Sequence, residues 1–295
     1  MSQSMILGLD MGNNNFKDNL GKLIPSKIST KENILGDSSD YILYEGIKYL
    51  IGVGEFEINL DKINKLNNEI LMLSVIGSYD ADFFKLVIGL PIGYYKIGKE
   101  EIKKRILDKR IYEFEFNGEK KKKIIDDVLV FPEGAGAYFS IPTKERPKDA
   151  IIIDIGGKTC NIVPFSNGKL DSNFITIGEG ILDLYSKIRD YLNRKYILNL
   201  SIEEIEYILK HGIEVDGKKK NTEFVNHIIG EYIQKILNEV RLNQQYRLKK
   251  IYICGGGAKI LGNILEKVLP NSKIMNNYLH ANAEGYYKIG VSTWQ

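Results

Sequence analysis

Apolar and polar positions along the chain fall into short apolar runs separated by stretches of helical spacing. Residues 5–10 (MILGLD) form an apolar run that ends on Asp10 and meets Gly12 two positions on, the pattern of a buried strand entering a tight turn. A second copy at residues 151–154 (IIID) ends on Asp154 and runs into Ile155-Gly156-Gly157-Lys158-Thr159. Each copy is followed shortly by Gly-Lys-Leu, at residues 21–23 and 168–170. The chain therefore reads as two related halves, each opening with an antiparallel meander: strand, Asp-x-Gly turn, short strand, glycine-containing hairpin turn.

The first half continues with two predicted strands around Glu45-Gly46 and a helical stretch near residues 61–76. A strand at 84–90 stops at Pro91, and a charged helix is predicted at about 98–107. A hairpin turns at Asn117-Gly118. The strand 127–131 stops at Pro132, which is placed to open a helix through Ala135, Ala137 and Tyr138. The Pro-flanked stretch 142–147 is the expected domain boundary. In the second half, Ile181, Leu184, Ile188 and Leu192 repeat at helical spacing, and Ser201 with Glu204 forms a capping-box pattern for a helix over 201–209. The turn 215–217 ends in lysines, and a long helix is predicted at about 222–243. The strand 250–254 (KIYIC) then breaks at Gly255-Gly256-Gly257. The tail 281–295 reads as a helix and a strand returning to the first domain. The expected division is 1–147, with a small insert at about 30–80 and the tail 276–295, against 148–275. Alternating strands and helices indicate an α/β architecture.

Composition narrows the class. The 295 residues suit two domains, and 43% hydrophobic, 27% charged, 28 Gly and 7 Pro describe an ordinary globular chain, which excludes disordered and collagen-like classes. With 41 Lys and Arg against 38 Asp and Glu, the net charge of +3 is too small for a surface devoted to nucleic acid, so any DNA partner is indirect or local. Cys160 and Cys254 make no disulfide framework, and no apolar window reaches the ~18 residues of a membrane span. Residues 1–4 carry no basic stretch followed by a long apolar core, so no export signal is expected; a reducing cytoplasm and no membrane association fit these features.

Four segments can carry chemistry. In the first, Asp10-Met11-Gly12-Asn13-Asn14-Asn15-Phe16-Lys17, a strand-end carboxylate can hold a hydrated Mg²⁺. Gly12 lets backbone amides approach phosphate oxygens, and Lys17 can return along the next strand as a point charge. Taken alone the segment is equally well a hairpin with asparagines in left-handed turn positions. The second, Asp154 to Thr159, supplies the same parts again. A turn does not need both aspartates, so the pair points to a cleft between domains, each contributing one phosphate loop. Third, Gly255, Gly256 and Gly257 between a strand and a helix let a base and ribose lie flat on the backbone. No Gly-x-x-x-x-Gly-Lys-Ser/Thr pattern is present, which argues against a P-loop enzyme. Fourth, Glu133 after Pro132 can orient a water for attack on a γ-phosphate, although acidic residues also occupy first helical turns for dipole reasons alone.

In order and spacing these segments resemble the actin, heat-shock chaperone and sugar-kinase superfamily, with phosphate 1 at 9–17, connect 1 at 130–137, phosphate 2 at 153–159, adenosine at 253–258 and connect 2 at about 281–291. Gly89-Leu90-Pro91 with Tyr94-Tyr95, Phe131-Pro132-Glu133-Gly134 and Asp154 to Thr159 are most similar to the ParM-like plasmid-segregation actins of bacteria. The resemblance implies an actin-like fold of duplicated ribonuclease H-like domains with a nucleotide cleft between them. It implies that Asp10 and Asp154 hold Mg²⁺ through waters, that Lys17 contacts the β-phosphate, and that Glu133 positions the hydrolytic water. Amides around Gly12, Asn13, Asn14 and Asn15 and around Gly156, Gly157, Lys158 and Thr159 would wrap the phosphates, while Gly178 and Gly255 to Gly257 would support the adenosine. The implied activity is hydrolysis of ATP, with GTP possible, coupled to a head-to-tail filament that moves plasmid DNA through a centromere-binding adaptor. Asn13 and Asn14 replace the usual hydroxyl residues, Lys158 stands where the family often has a small or hydroxylic residue, and Asn161 where many members have Asp.

Two alternatives use the same fold. A small-molecule kinase acting on a sugar or acid would need an added catalytic Asp and larger inserts, and no segment supplies them. A non-polymerising ATPase would need a following substrate domain or an amphipathic anchor. The lysine runs 120–123 and 218–220 read as solvated or filament-facing tips rather than DNA contacts. His211, His227 and His280 share no metal-ligand spacing, and the cysteines read as buried small hydrophobes. Trp294 is either a packing anchor or a protomer contact.

Overall fold

A computed structural model of the chain describes residues 3–31, 39–56, 66–242 and 245–295. Two compact units emerge, Met1–Lys148 with Met275–Gln295, and Asp149–Ile274.

In the first unit, β1 (Met5–Met11), β2 (Asn15–Asp18) and β3 (Leu23–Pro25) form an antiparallel meander. The chain continues through β4 (Lys27–Ser29), β5 (Tyr41–Tyr44), β6 (Ile47–Phe56), α1 (Leu66–Gly77) and β7 (Phe83–Leu90). Then come α2 (Ile92–Lys109), β8 (Ile111–Phe116), β9 (Glu119–Pro132) and the short α3 (Ala135–Ser140). The strands order as β3-β2-β1-β7-β9-β8-β5-β6-β4, with β1, β7 and β9 parallel at the centre. Leu7, Leu9, Leu86 and Ile88 are fully buried, as expected where parallel strands are covered on both faces.

Local differences from the sequence reading have physical causes. The helix predicted at 98–107 starts at Ile92, because Pro91, with φ −50°, is pre-set as its N-cap and needs no N–H there. The strand predicted at 127–131 is the end of the 14-residue β9 and includes Pro132. The helix predicted from residue 61 is described from Leu66; residues 61–65, like part of the 30–80 insert, lie outside the described residues. Residues 120–123 are strand rather than hairpin tip: Lys123 is only 3% exposed and donates to Tyr79 O and Ala81 O, at 2.9 and 2.8 Å. Its neighbours Lys121 and Lys122 pair with Glu119 and Glu113.

The second unit repeats the meander as β10 (Ala150–Ile155), β11 (Cys160–Ser166) and β12 (Lys169–Leu170), with β13 (Ile175–Ile177) also paired to β11. There follow α4 (Ile181–Tyr196), α5 (Ile202–His211), the hairpin β14 (Glu214–Val215) and β15 (Lys218–Lys219), and α6 (Glu223–Leu242). Finally come β16 (Lys250–Cys254), α7 (Ala258–Val268) and β17 (Ser272–Ile274). The strand order is β12-β11-β10-β16-β17, with β10, β16 and β17 parallel. All six residues of β10 are buried. At α5, the predicted capping box is present: Ser201 N–H donates to Glu204 Oε2 at 2.7 Å.

The chain then returns to the first unit as α8 (Ala281–Trp294), one continuous helix where a helix and a strand were expected. Packing overrides the indifferent propensity of this segment. A Cβ on Gly285 would lie 1.8 Å from Gly136 O and one on Gly8 would lie 2.1 Å from Ala283 O, so helix backbone rests directly on α3 and β1. Tyr286 is fully buried, edge-on to Phe131 at 6.2 Å. Trp294 donates Nε1–H to Asp127 Oδ2 at 3.1 Å, which makes it a packing anchor within this unit. Among the described residues, no helix is long and apolar enough to cross a membrane.

Candidate functional site

The two meanders place their aspartates identically. Asp10 and Asp154 are the penultimate residues of β1 and β10, both nearly buried at 5% and 6% exposure. Each is followed by a turn in which a glycine sits under a carbonyl. A Cβ on Gly12 would lie 2.6 Å from Asn15 O, and one on Gly156 would lie 3.0 Å from Thr159 O. Only glycine lets the strand turn back so tightly.

The side chains opposite the aspartates differ. Asp10 stands in register with Lys17, and their charges meet at 2.6 Å in a pocket that leaves both almost wholly buried. Such a pair holds only if it is well fitted, since stripping water from two charges is costly. Ser26 braces the loop, donating its hydroxyl to Gly12 O at 2.5 Å and its N–H to Asn14 O at 2.9 Å. Glu133 lies in the turn between β9 and α3, 7% exposed, with its N–H bonded to Leu90 O at 2.8 Å. It precedes the N-cap Gly134 and so stands just outside the first helical turn. Because β1, β7 and β9 are parallel, Asp10 and Glu133 both lie at the carboxyl edge of the sheet, with Asp10 two strands away and level with Phe131, two residues before Glu133. That edge is where open α/β sheets take their ligands.

In the second unit Asp154 stands opposite Asn161, which is 3% exposed and accepts the Thr176 hydroxyl at 2.8 Å. The loop is closed by Gly156 N–H to Thr159 O at 2.8 Å. The first amides of α4, at Ile181 and Leu182, donate to Gly156 O and Gly157 O, each at 3.0 Å. A trans peptide points its C=O and N–H in opposite directions, so these bonds turn the N–H groups of Gly157 and Lys158 away from α4. The Lys158 ammonium is held by Asp183 at 3.0 Å, and the same carboxylate takes the Gly180 N–H at 2.9 Å. Gly178 is exposed with open space about it.

The three glycines after β16 do three different things. Gly255 has φ +83°, and a Cβ there would lie 2.4 Å from Asp154 Oδ1. Gly257 makes room for the Ile155 side chain, at 2.3 Å from the same construction. Of the three, Gly256 faces open space. Beside the first turn of α7 lies a groove of about 530 Å³, lined by Leu209, Lys210, Ile260, Ile264 and the ion-paired Glu206 and Lys259. Sequence reasoning missed this groove, Ser26, Asp183 and Thr176, because only tertiary neighbours reveal them. Burial pushes the Cys160 thiol well above its usual range, with Asp154 adding to the shift, so it is inert.

No described cluster of three or more His, Cys, Asp or Glu can hold a metal directly. A carboxylate oxygen is the hard kind of ligand that Mg²⁺ takes, so Asp10 in one unit and Asp154 in the other each have donor chemistry that suits such an ion. Within each unit the predicted residues are brought together: Asp10, Gly12, Lys17 and Glu133 at one sheet edge, and Asp154, Gly156, Gly157, Lys158, Thr159 and Gly255 to Gly257 at another.

This architecture, two units each entering through the same acidic hairpin, defines an actin-like protein. Residues 8–136 match the family of actin-like proteins, N-terminal domain, and residues 152–267 match the archaeal actin homologue MreB-like, C-terminal. Both models describe actin homologues, so the chain is actin-like in each of its halves and in its fold. It is similar to a crystal structure of Ta0583, an archaeal actin homologue, at 18% identity and TM-score 0.83, covering 98% of this chain and 99% of that one. A 15-stranded ParM filament from Clostridium botulinum is similar at 20% identity and TM-score 0.80, covering 99% and 100%. Ta0583 in complex with ADP is similar at 18% identity and TM-score 0.80, covering 97% and 99%. No curated protein sequence matches the chain.

Proposed function

We propose that the protein is an ATPase whose two acidic hairpins serve one Mg-ATP and whose hydrolysis drives the assembly and disassembly of a head-to-tail filament. The observation that carries this reading is the repeated hairpin: a buried carboxylate at a strand end, followed by a glycine loop, occurs once in each unit. Asp10 and Asp154 would hold Mg²⁺ through its waters, and the ion would offset charge on the phosphates. Lys17 sits against Asp10 as a point charge for the β-phosphate, and the amides of Gly157 and Lys158, turned away from α4, serve as phosphate donors. Glu133, fixed by its bond to Leu90 O, orients the attacking water. Gly256, as the open glycine, and the groove by α7 would take the ribose and base; GTP remains an alternative substrate. An ADP-bound actin homologue and a ParM filament among the similar structures support this reading.

Filament growth requires contacts that do not close into a ring, and nucleotide-dependent opening and closing would time them. The filament would act in the cytoplasm on plasmid DNA, reached through a centromere-binding adaptor. Light scattering with Mg-ATP should rise and then fall as nucleotide is spent. Glu133→Gln should slow hydrolysis about a hundredfold and prolong the plateau. Flat scattering at micromolar protein, or turnover that depends on an added sugar or acid, would overturn the proposal.

A further inference from the structure

The second hairpin contains a polar row that the first lacks. Asp154 on β10 stands in register with Asn161 on β11, and Asn161 with Thr176 on β13, so all three side chains share one face of the sheet. Asn161 is buried whereas Thr176 is exposed at the sheet edge. Thr176 donates its hydroxyl to Asn161 Oδ1 at 2.8 Å. An amide has one accepting end and one donating end, and a bond that engages the oxygen also decides where the NH₂ points. The corresponding row in the first unit is Asp10, Lys17 and Leu23, where a permanent charge faces the carboxylate and needs no such orientation.

We infer that Thr176 is a positioning residue: by holding Asn161 Oδ1 toward β13, it presents the Asn161 NH₂ to Asp154 and keeps that carboxylate aimed for Mg-ATP. The inference rests on the reading of Asp154 given above. Without the hydroxyl, Asn161 can turn over and face Asp154 with its oxygen, acceptor against acceptor. Outer partners of residues that ligate a metal directly are worth about 10- to 100-fold in affinity, and because Asp154 would reach the ion through water the low end of that range applies.

Thr176→Val keeps the shape and removes the hydroxyl at an exposed position, so the fold should stand. The Mg²⁺ concentration needed for half-maximal ATP binding by calorimetry should rise about tenfold, and Thr176→Ser should restore it. In an Asn161→Asp background, whose carboxylate has two equivalent oxygens, adding Thr176→Val should change nothing further. Independently of nucleotide, the Asn161 side-chain amide pair should give one sharp, exchange-protected set of NMR signals in the wild type and in Thr176→Ser, broadened or doubled in Thr176→Val. Unchanged amide signals in Thr176→Val, no rescue by Ser, or an equal further loss in the Asn161→Asp background would overturn the inference. If the wild type binds no Mg-ATP, the proposed function fails instead, while the amide signals still decide whether Thr176 orients Asn161.

Discussion

The hairpins Asp10–Lys17 and Asp154–Asn161 are two answers to one problem, how to keep a carboxylate buried at the end of a central strand. The first neutralises it with a lysine 2.6 Å away and braces the loop with Ser26. The second faces it with a neutral amide fixed by Thr176, seats it on Gly255, and ties its loop to the start of α4. A charge pair is strong but makes each partner dependent on the other, because either one alone would be an uncompensated buried charge. The neutral row is weaker, and it sets an amide rather than a cation opposite Asp154 in the sheet register. The first hairpin neutralises its carboxylate with a charge, and the second holds its own by orientation.

The sharpest way to break this contrast is Lys17→Met, which strands Asp10. Urea unfolding should show a loss of about 3–5 kcal/mol, with much of it recovered in Asp10→Asn/Lys17→Met. Asn161→Leu, its counterpart, should cost about 1–3 kcal/mol. Equal losses at the two positions would erase the distinction.

Next in size are the glycines that shape the second hairpin. Gly255→Ala must place a methyl 2.4 Å from the Asp154 carboxylate at φ +83°, and should cost about 1–3 kcal/mol. Gly256→Ala faces open space and should be close to neutral for stability while weakening ATP binding. If Gly256→Ala leaves ATP affinity unchanged, the ribose does not lie there.

The smallest effect is expected at Lys158. Its bond to Asp183 is partly exposed, with side chains 17% and 29% accessible, so Lys158→Ala should change stability by less than about 1 kcal/mol. A larger loss would show that the second loop, too, depends on a charge pair.

Much of the fold was legible from short-range patterns. The strands β1 and β10 announced themselves as apolar runs ending on Asp and Gly, the break at Gly255 marked the end of β16, and Ser201 with Glu204 marked the start of α5. Where reading failed, long-range packing was responsible. The tail is helical throughout because Gly285 fits against Gly136, a contact between residues far apart in sequence. Lys123 looked like a solvated lysine, yet it is buried because carbonyls from the segment before β7 turn toward it. Glu133 was expected inside a helix because Pro132 often opens one, whereas the helix waits until after Gly134.

By itself, the sequence determined that the chain has two halves, that each carries an aspartate at a strand end before a glycine turn, and that the whole resembles an actin. Such features are local: strand periodicity, turn chemistry and the absence of a Cβ act within a few residues. Only the tertiary structure decided what faces each aspartate and which glycine of the three stays open. Register and side-chain orientation across a sheet depend on residues that meet only when distant strands pair, and no spacing along the chain encodes that meeting directly.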